Sequence, residues 1–148
     1  MEPTGQARDI DTLLAQYGES HRNHANELIH CVCVPVIVFT LLGIVWWVHP
    51  LAAVAVSAAA LVYYFKLSRP FAIGMLVMTL LMLGLLRAMP PATVLPLSIA
   101  IFVLAWIGQF IGHKIEGKKP SFLDDLRFLL IGPLFVLSFL YRRLNVAY

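Results

Sequence analysis

The sequence predicts an all-α integral membrane protein. It reads as four transmembrane helices with an N-terminal amphipathic helix and a C-terminal re-entrant or interfacial helical segment. Three observations carry this. Of 148 residues, 60% are hydrophobic and 13% charged, whereas a soluble domain averages about 25% charged residues. Mean hydropathy is +0.83, and so few charges cannot cover an apolar surface in water. Finally, four apolar runs are separated by charged or proline-rich breaks and approach the length of about 20 residues that a bilayer core requires. The length allows one domain only. Residues 1–30 form a cytoplasmic amphipathic and histidine-rich segment, 31–112 a four-helix membrane bundle, and 113–148 a cytoplasmic loop with the last helical segment.

In chain order, residues 9–19 place Ile10, Leu13, Leu14 and Tyr17 on one side of a helix, the pattern of a short amphipathic helix lying at an interface. Residues 1–20 hold Glu2, Asp9, Asp11 and Glu19 in place of an apolar core, so no secretory signal is visible. Ser20 to His30 (SHRNHANELIH) is polar and leads into the first run, Cys31–Val48. At 1.5 Å per residue that run reaches about 27 Å. Leu51–Phe65 returns and ends at Lys66 and Arg69; Phe71–Leu86 crosses again and ends at Arg87; Pro91–Ile111 returns to Gly112-His113. The second and third runs are short and read as a hairpin pair. Phe128–Tyr141 is too short to span, and Gly132-Pro133 is expected to break it near its start.

Charge fixes the expected orientation. Ten of the eleven Lys and Arg, and all eight acidic residues, fall on one side of these crossings; Arg87 alone lies opposite. The positive-inside rule makes the crowded side cytoplasmic, so both termini and any active site are expected there. A net charge of +3 with a pI near 9.1 is explained by this topology and gives no case for nucleic-acid binding. Cys31 and Cys33 are too close on a helix for a comfortable disulfide and read as reduced, small apolar residues; a C-x-C ligand pair is the lesser alternative.

Four crossings return the chain to its starting side, so His30, before the first run, and His113, after the fourth, belong to one membrane face. His21 lies just upstream of them. Imidazoles that converge from distant parts of a chain are characteristic metal ligands. His113 has Gln109 one turn before it and Glu116 one turn after it, on one helical face. The competing reading is a histidine that suits a helix C-terminus by its partial positive charge. On one ideal helix His30 shares a face with Asn23, Asn26 and Glu27, whereas His21 lies about 180° away. The two can meet only if the helix breaks near Ser20, a good N-cap residue; otherwise the stretch is a solvated linker. His24 is ambiguous, and His49, on the far side, is expected to be structural. Trp46, Trp47, Tyr63 and Tyr64 read as interfacial anchors.

Two stretches carry a resemblance. Ser20 to Pro35 shows H-x-N-x-x-N-x-x-x-H-x-x-x-x-P, and Gln109 to Pro120 shows Q-x-x-G-H…E…P. Together with IGPLFV at 131–136, they resemble the small membrane proteins typified by the yeast 2-hydroxy fatty acid dioxygenase of phytosphingosine breakdown. The resemblance covers nearly the whole chain. It implies an iron(II)-dependent dioxygenase that shortens 2-hydroxy fatty acids by one carbon, with O2 consumed and CO2 released. His21, His30 and His113 would be the metal and catalytic histidines, with Asn23, Asn26, Gln109 and Glu116 supporting them or touching substrate; His24, among them in the sequence but outside the motif, is a further candidate for that supporting role. The implied partners are a 2-hydroxy fatty acid, O2 and membrane lipid, with no nucleic acid. The 2-hydroxy acid supplies electrons itself, so Fe2+ is expected without 2-oxoglutarate. Three features depart from the family pattern: the His113–Glu116 spacing is one residue short, Ser138 replaces an acidic residue, and His24 is peculiar to this sequence. The short chain, without endoplasmic-reticulum signals, suggests a bacterial inner-membrane member. Two alternatives stand beside this reading. One is a metal-dependent membrane lipid hydrolase assisted by Ser20 or Ser121 and Asp124 or Asp125. The other is a non-catalytic small membrane protein.

Overall fold

The computed structural model describes residues 8–117 and 128–148. Among these residues the chain is all helix and turn: α1 (Asp9–Gly18), α2 (His24–Val48), α3 (Pro50–Leu67), α4 (Arg69–Ala88), α5 (Pro91–Glu116) and α6 (Ile131–Arg143). Four of them, α2 to α5, are long and apolar enough to cross a membrane. Such a bundle satisfies its backbone polar groups internally, as hydrocarbon demands. Each helix overruns the apolar run that marks it. The second and third reach 18 and 20 residues, because Lys66, Arg69 and Arg87 sit inside helix ends. They are full-length helices, where the sequence had suggested short ones.

Proline sets the turns. Helices α3, α4 and α5 each carry Pro at their first or second position, where the missing N–H is no loss and φ is already helical. His49 joins α2 to α3 as a single extended residue, and its Nδ1 accepts a hydrogen bond from the Leu51 N–H at 3.1 Å. This is a capping role, in line with its expected structural place. Ser68 joins α3 to α4 in the same extended conformation. At the other end of α5, Gly117 adopts φ 75°. The left-handed residue ends the helix one residue after Glu116 and keeps His113 and Glu116 in register on it.

Packing divides along the bundle. Near the His49 end, Leu42, Ala53, Leu86 and Val94 from α2 to α5 form one apolar cluster. Here α2 and α5 approach closely: a Cβ on Gly43 would overlap the Ser98 hydroxyl and meet Leu86 at 3.4 Å. At the opposite end a larger cluster unites Ile10 and Tyr17 of α1, Tyr64 of α3, Phe71 and Met75 of α4, and Leu134, Phe135 and Tyr141 of α6. The apolar face read on α1 is therefore buried against protein. Tyr64 donates its hydroxyl proton to the Leu130 carbonyl at 2.8 Å, and Tyr141 donates to the Pro70 carbonyl. The Arg8 guanidinium reaches the Tyr148 carbonyl at 2.6 Å, joining the two ends of the described chain.

The C-terminal segment corrects one expectation. Gly132-Pro133 does not break it; both residues lie in the first turn of a single helix, where proline is tolerated. Thirteen residues give about 20 Å, too short to span.

Gly43→Leu is expected to destabilise the bundle by about 1–3 kcal/mol through overpacking. Gly84→Leu, where nothing lies within 4 Å of a Cβ, is expected to change little. Thermal unfolding of the two variants in one detergent makes the comparison.

Candidate functional site

Three histidines meet at the end of the bundle that carries α1 and α6. His21, His30 and His113 are all buried, at 6%, 1% and 5% exposure. Their ring centroids are 4.1 Å apart for His21 and His30, 5.1 Å for His30 and His113, and 6.1 Å for His21 and His113. The chain folds this way because α1 stops at Gly18 and α2 starts at His24. The break between them frees His21 from the helical phase that would point it away from His30. The sequence placed this break at Ser20. The N-cap is instead Asn23, whose side chain accepts from the Ala25 N–H at 2.9 Å, while Ser20 offers its carbonyl to Asn26 Nδ2 at 3.2 Å.

Glu116 holds the break in place. Its carboxylate accepts from the backbone N–H groups of Arg22 at 3.0 Å and Asn23 at 2.8 Å, and from Asn26 Nδ2 at 3.1 Å. One side chain at the end of α5 thus binds the start of α2 and the loop that carries His21. Asn26 is fully buried at the junction. Gly112 makes the approach possible: a Cβ there would overlap Asn26 Oδ1 and crowd His30 Cε1 at 3.3 Å.

Backbone carbonyls fix the imidazoles. His21 Nδ1 lies 2.7 Å from the Tyr17 carbonyl, and His30 Nδ1 lies 2.9 Å from the Asn26 carbonyl. A carbonyl only accepts, so Nδ1 is the protonated nitrogen in both rings, and in the neutral imidazole Nε2 carries the lone pair. Ligand histidines are commonly oriented by such an Nδ1–H bond. Aromatic walls complete the site. Tyr17 stacks on His21 at 4.3 Å with 7° between planes, and Phe135 lies 4.8 Å from Tyr17 and 5.6 Å from His21.

The other sequence candidates divide. Gln109 is buried beside His113 on α5, and its Oε1, like Asn26 Oδ1, has no hydrogen-bond partner among the described residues. Asn23 is exposed and acts as a cap. His24 is exposed on the first turn of α2 and is not brought into the buried cluster. Ser138 is buried, and its hydroxyl donates to the Phe135 carbonyl at 2.6 Å within its own helix. Ser121, Asp124 and Asp125 lie outside the described residues. Sequence reasoning missed Phe135 and the stacking role of Tyr17. Tyr17 is four residues before His21, and that spacing was the available signal; nothing local marks Phe135.

Three neutral imidazoles are suitable donors for a divalent transition metal. At a metal–nitrogen distance of about 2.0–2.1 Å, imidazoles on neighbouring positions of one ion have centroids about 4.5–5.5 Å apart. Of the observed spacings only that of His30 and His113 falls in this range, so the donor set fits in kind, and the His21 ring would have to shift to complete it. As the side chains stand, no group of three or more His, Cys, Asp or Glu among the described residues forms a ready coordination set.

Fold and site together define a small polytopic α-helical membrane protein with a buried polyhistidine cluster at one end of its bundle. The chain matches the family described as 2-hydroxy-palmitic acid dioxygenase Mpo1-like over residues 7–144 and belongs to that family. It is 29% identical over 143 residues to the 2-hydroxy-palmitic acid dioxygenase MPO1 of Saccharomyces cerevisiae, an alignment covering 90% of this chain and 81% of the yeast protein. No solved structure matches. The resemblance read from the two histidine motifs is thereby borne out.

Replacing Glu116 with Ala removes the acceptor for three donors and is expected to cost on the order of 1–2 kcal/mol. Amide hydrogen exchange locates the effect: protection at Arg22 and Asn23 should drop, while Leu51, capped by His49 at the far end, should be unchanged.

Proposed function

We propose that this protein is an iron(II)-dependent dioxygenase that removes one carbon from 2-hydroxy fatty acids. The supporting observation is the convergence of His21, His30 and His113 across the whole bundle, in a chain whose family is described as 2-hydroxy-palmitic acid dioxygenase Mpo1-like. The reaction balances without a further reductant. A 2-hydroxy acid and O2 give the fatty acid one carbon shorter, CO2 and water; the substrate supplies all four electrons that dioxygen takes up. This is why no 2-oxoglutarate is required.

In this reading His21, His30 and His113 would hold Fe2+, which supplies a centre where dioxygen and the 2-hydroxy acid can react. The chain's own contribution is geometric and dielectric. The Tyr17 and Asn26 carbonyls hold the His21 and His30 rings with Nε2 turned away from the backbone. Tyr17 and Phe135 wall the cluster, and burial of all three imidazoles keeps bulk water away. Gln109 and Asn26 place side-chain carbonyl oxygens in the same buried region, suited to accept a hydrogen bond from a substrate hydroxyl. The cations Arg22, Lys66, Arg69 and Lys114 are exposed at this end of the bundle, where a fatty acid carboxylate arrives. Of the eight described Lys and Arg, all but Arg87 belong to this end, the side that the positive-inside rule reads as cytoplasmic.

Oxygen uptake by detergent-solubilised protein, loaded anaerobically with Fe2+ and given 2-hydroxypalmitate, tests this directly. Chelator-sensitive uptake yielding a fifteen-carbon acid is the expected outcome; bound iron without uptake would exclude this substrate. His30→Ala and His113→Ala should each lower iron content at least tenfold, and His49→Ala should leave it unchanged. Full iron retention in His113→Ala would break the shared-site reading.

A further inference from the structure

Beneath the histidine cluster, α2, α3 and α4 line a half-open apolar pocket of about 160 Å³. Apart from Ser57, Tyr64 and Thr79, every lining side chain is hydrocarbon or methionine. A pocket of this volume and lining has room for about six carbons of a hydrocarbon chain. Its walls on α2 run from Val38 to Val45, which at 1.5 Å per residue lie about 12 to 22 Å along the helix from His30. An extended sixteen-carbon acid is about 20 Å long, two-thirds of a hydrocarbon core about 30 Å thick.

A second, water-sized cavity of about 30 Å³ is lined by Tyr17 and Gln109, each one helical turn from a cluster histidine, and by Val34, Ile37, Trp106 and Gly132 among others. Leu129 lines both cavities. Tyr64 pins the next residue by its hydrogen bond to the Leu130 carbonyl at 2.8 Å. The order from the bundle end inward is therefore histidine cluster, small cavity, Leu129, large cavity.

We propose that the α2–α3–α4 cavity is the acyl-end subsite, which takes the methyl end of the fatty chain while its 2-hydroxy carboxylate lies at the histidines. The inference rests on the dioxygenase reading and adds the determinant of chain length. The Leu129-Leu130 turn divides the two cavities and must move aside for a long chain; a short chain ends before it. Ala60 is the smallest side chain of the lining, so its enlargement shortens the subsite without touching the histidines.

The test is photolabelling of the full chain in nanodiscs with 2-hydroxypalmitate carrying a diazirine near its methyl end, followed by mapping of the adducts. Adducts within 38–45, 56–61 and 75–82 on cavity-lining residues, reduced at least fivefold by excess 2-hydroxypalmitate, are expected. Ala60→Phe should cut them at least fivefold and shift oxygen uptake from sixteen-carbon towards eight-carbon 2-hydroxy acids. Val62→Phe, whose position is exposed, should do neither, and melting curves of both variants establish that each is folded. Adducts confined to the outward-facing Val54, Val62, Leu80 and Leu81, or adducts not displaced by the unlabelled acid, would overturn the proposal and leave the cavity to bilayer lipid. Displaceable cavity adducts in a protein that oxidises no 2-hydroxy acid would support the subsite and remove the dioxygenase reading. Turnover of 2-hydroxypalmitate without cavity adducts would do the reverse.

Discussion

The site depends on one carboxylate. Glu116, on the last turn of α5, binds the Arg22 and Asn23 amides and the Asn26 side chain. Those amides are the donors that a helix start leaves unsatisfied, so the carboxylate both caps α2 and pins α5 to it. Without that pin, the five residues between α1 and α2 would be held by local contacts alone, such as His21 Nδ1 with the Tyr17 carbonyl and Asn26 Nδ2 with the Ser20 carbonyl, and His21 would sit less firmly against His30. The aligned dipole of α2 strengthens the contact, since a negative charge at a helix N-terminus is favoured.

The rest of the bundle makes this polar cluster affordable. Buried polar groups in an apolar setting cost several kcal/mol each when unsatisfied. The two Nδ1–H groups are answered by carbonyls of the preceding turn, at Tyr17 and Asn26. The residues supplying those carbonyls recur in the same network: Tyr17 stacks on His21, and Asn26 bonds Glu116 and Ser20. Gly112 lets the α5 backbone come close enough for His113 to join. Local helix geometry therefore orients two rings, and close packing of α2 against α5 delivers the third.

What could be read from the sequence follows from what is one-dimensional. Hydropathy counts crossings, and an even count forces His30 and His113 to one end; the four helices and their order follow at once. The break near Ser20 was also legible, because one continuous helix would separate His21 from His30. The capping residue was not, since Ser20 and Asn23 are both good caps and the choice turns on the position of Asn26 and Glu116. Gly132-Pro133 reads as a helix breaker until its place in the first turn of α6 is known. Phe135 and the burial of the α1 face against α6 are tertiary facts with no local mark. His24 looked as informative as its neighbours, yet it falls on the exposed side of the first turn of α2.

The position of the cluster matters as much as its composition. A fatty acid has a charged head that belongs at the bilayer surface and a chain that belongs in hydrocarbon. A site at the end of the bundle, ringed by exposed Arg22, Lys66, Arg69 and Lys114 and floored by apolar side chains, meets both demands without moving the head group into the core. A soluble enzyme would have to extract the chain from the membrane and rebury it. Here the bilayer and the bundle offer similar surroundings to the chain, so little free energy separates them. On the proposed dioxygenase reading, selectivity then comes from the shape available between α2, α3 and α4 and from the contacts made at the head group. That division of labour gives physical meaning to a polar cluster built with many hydrogen bonds on top of a bundle built mostly from apolar side chains.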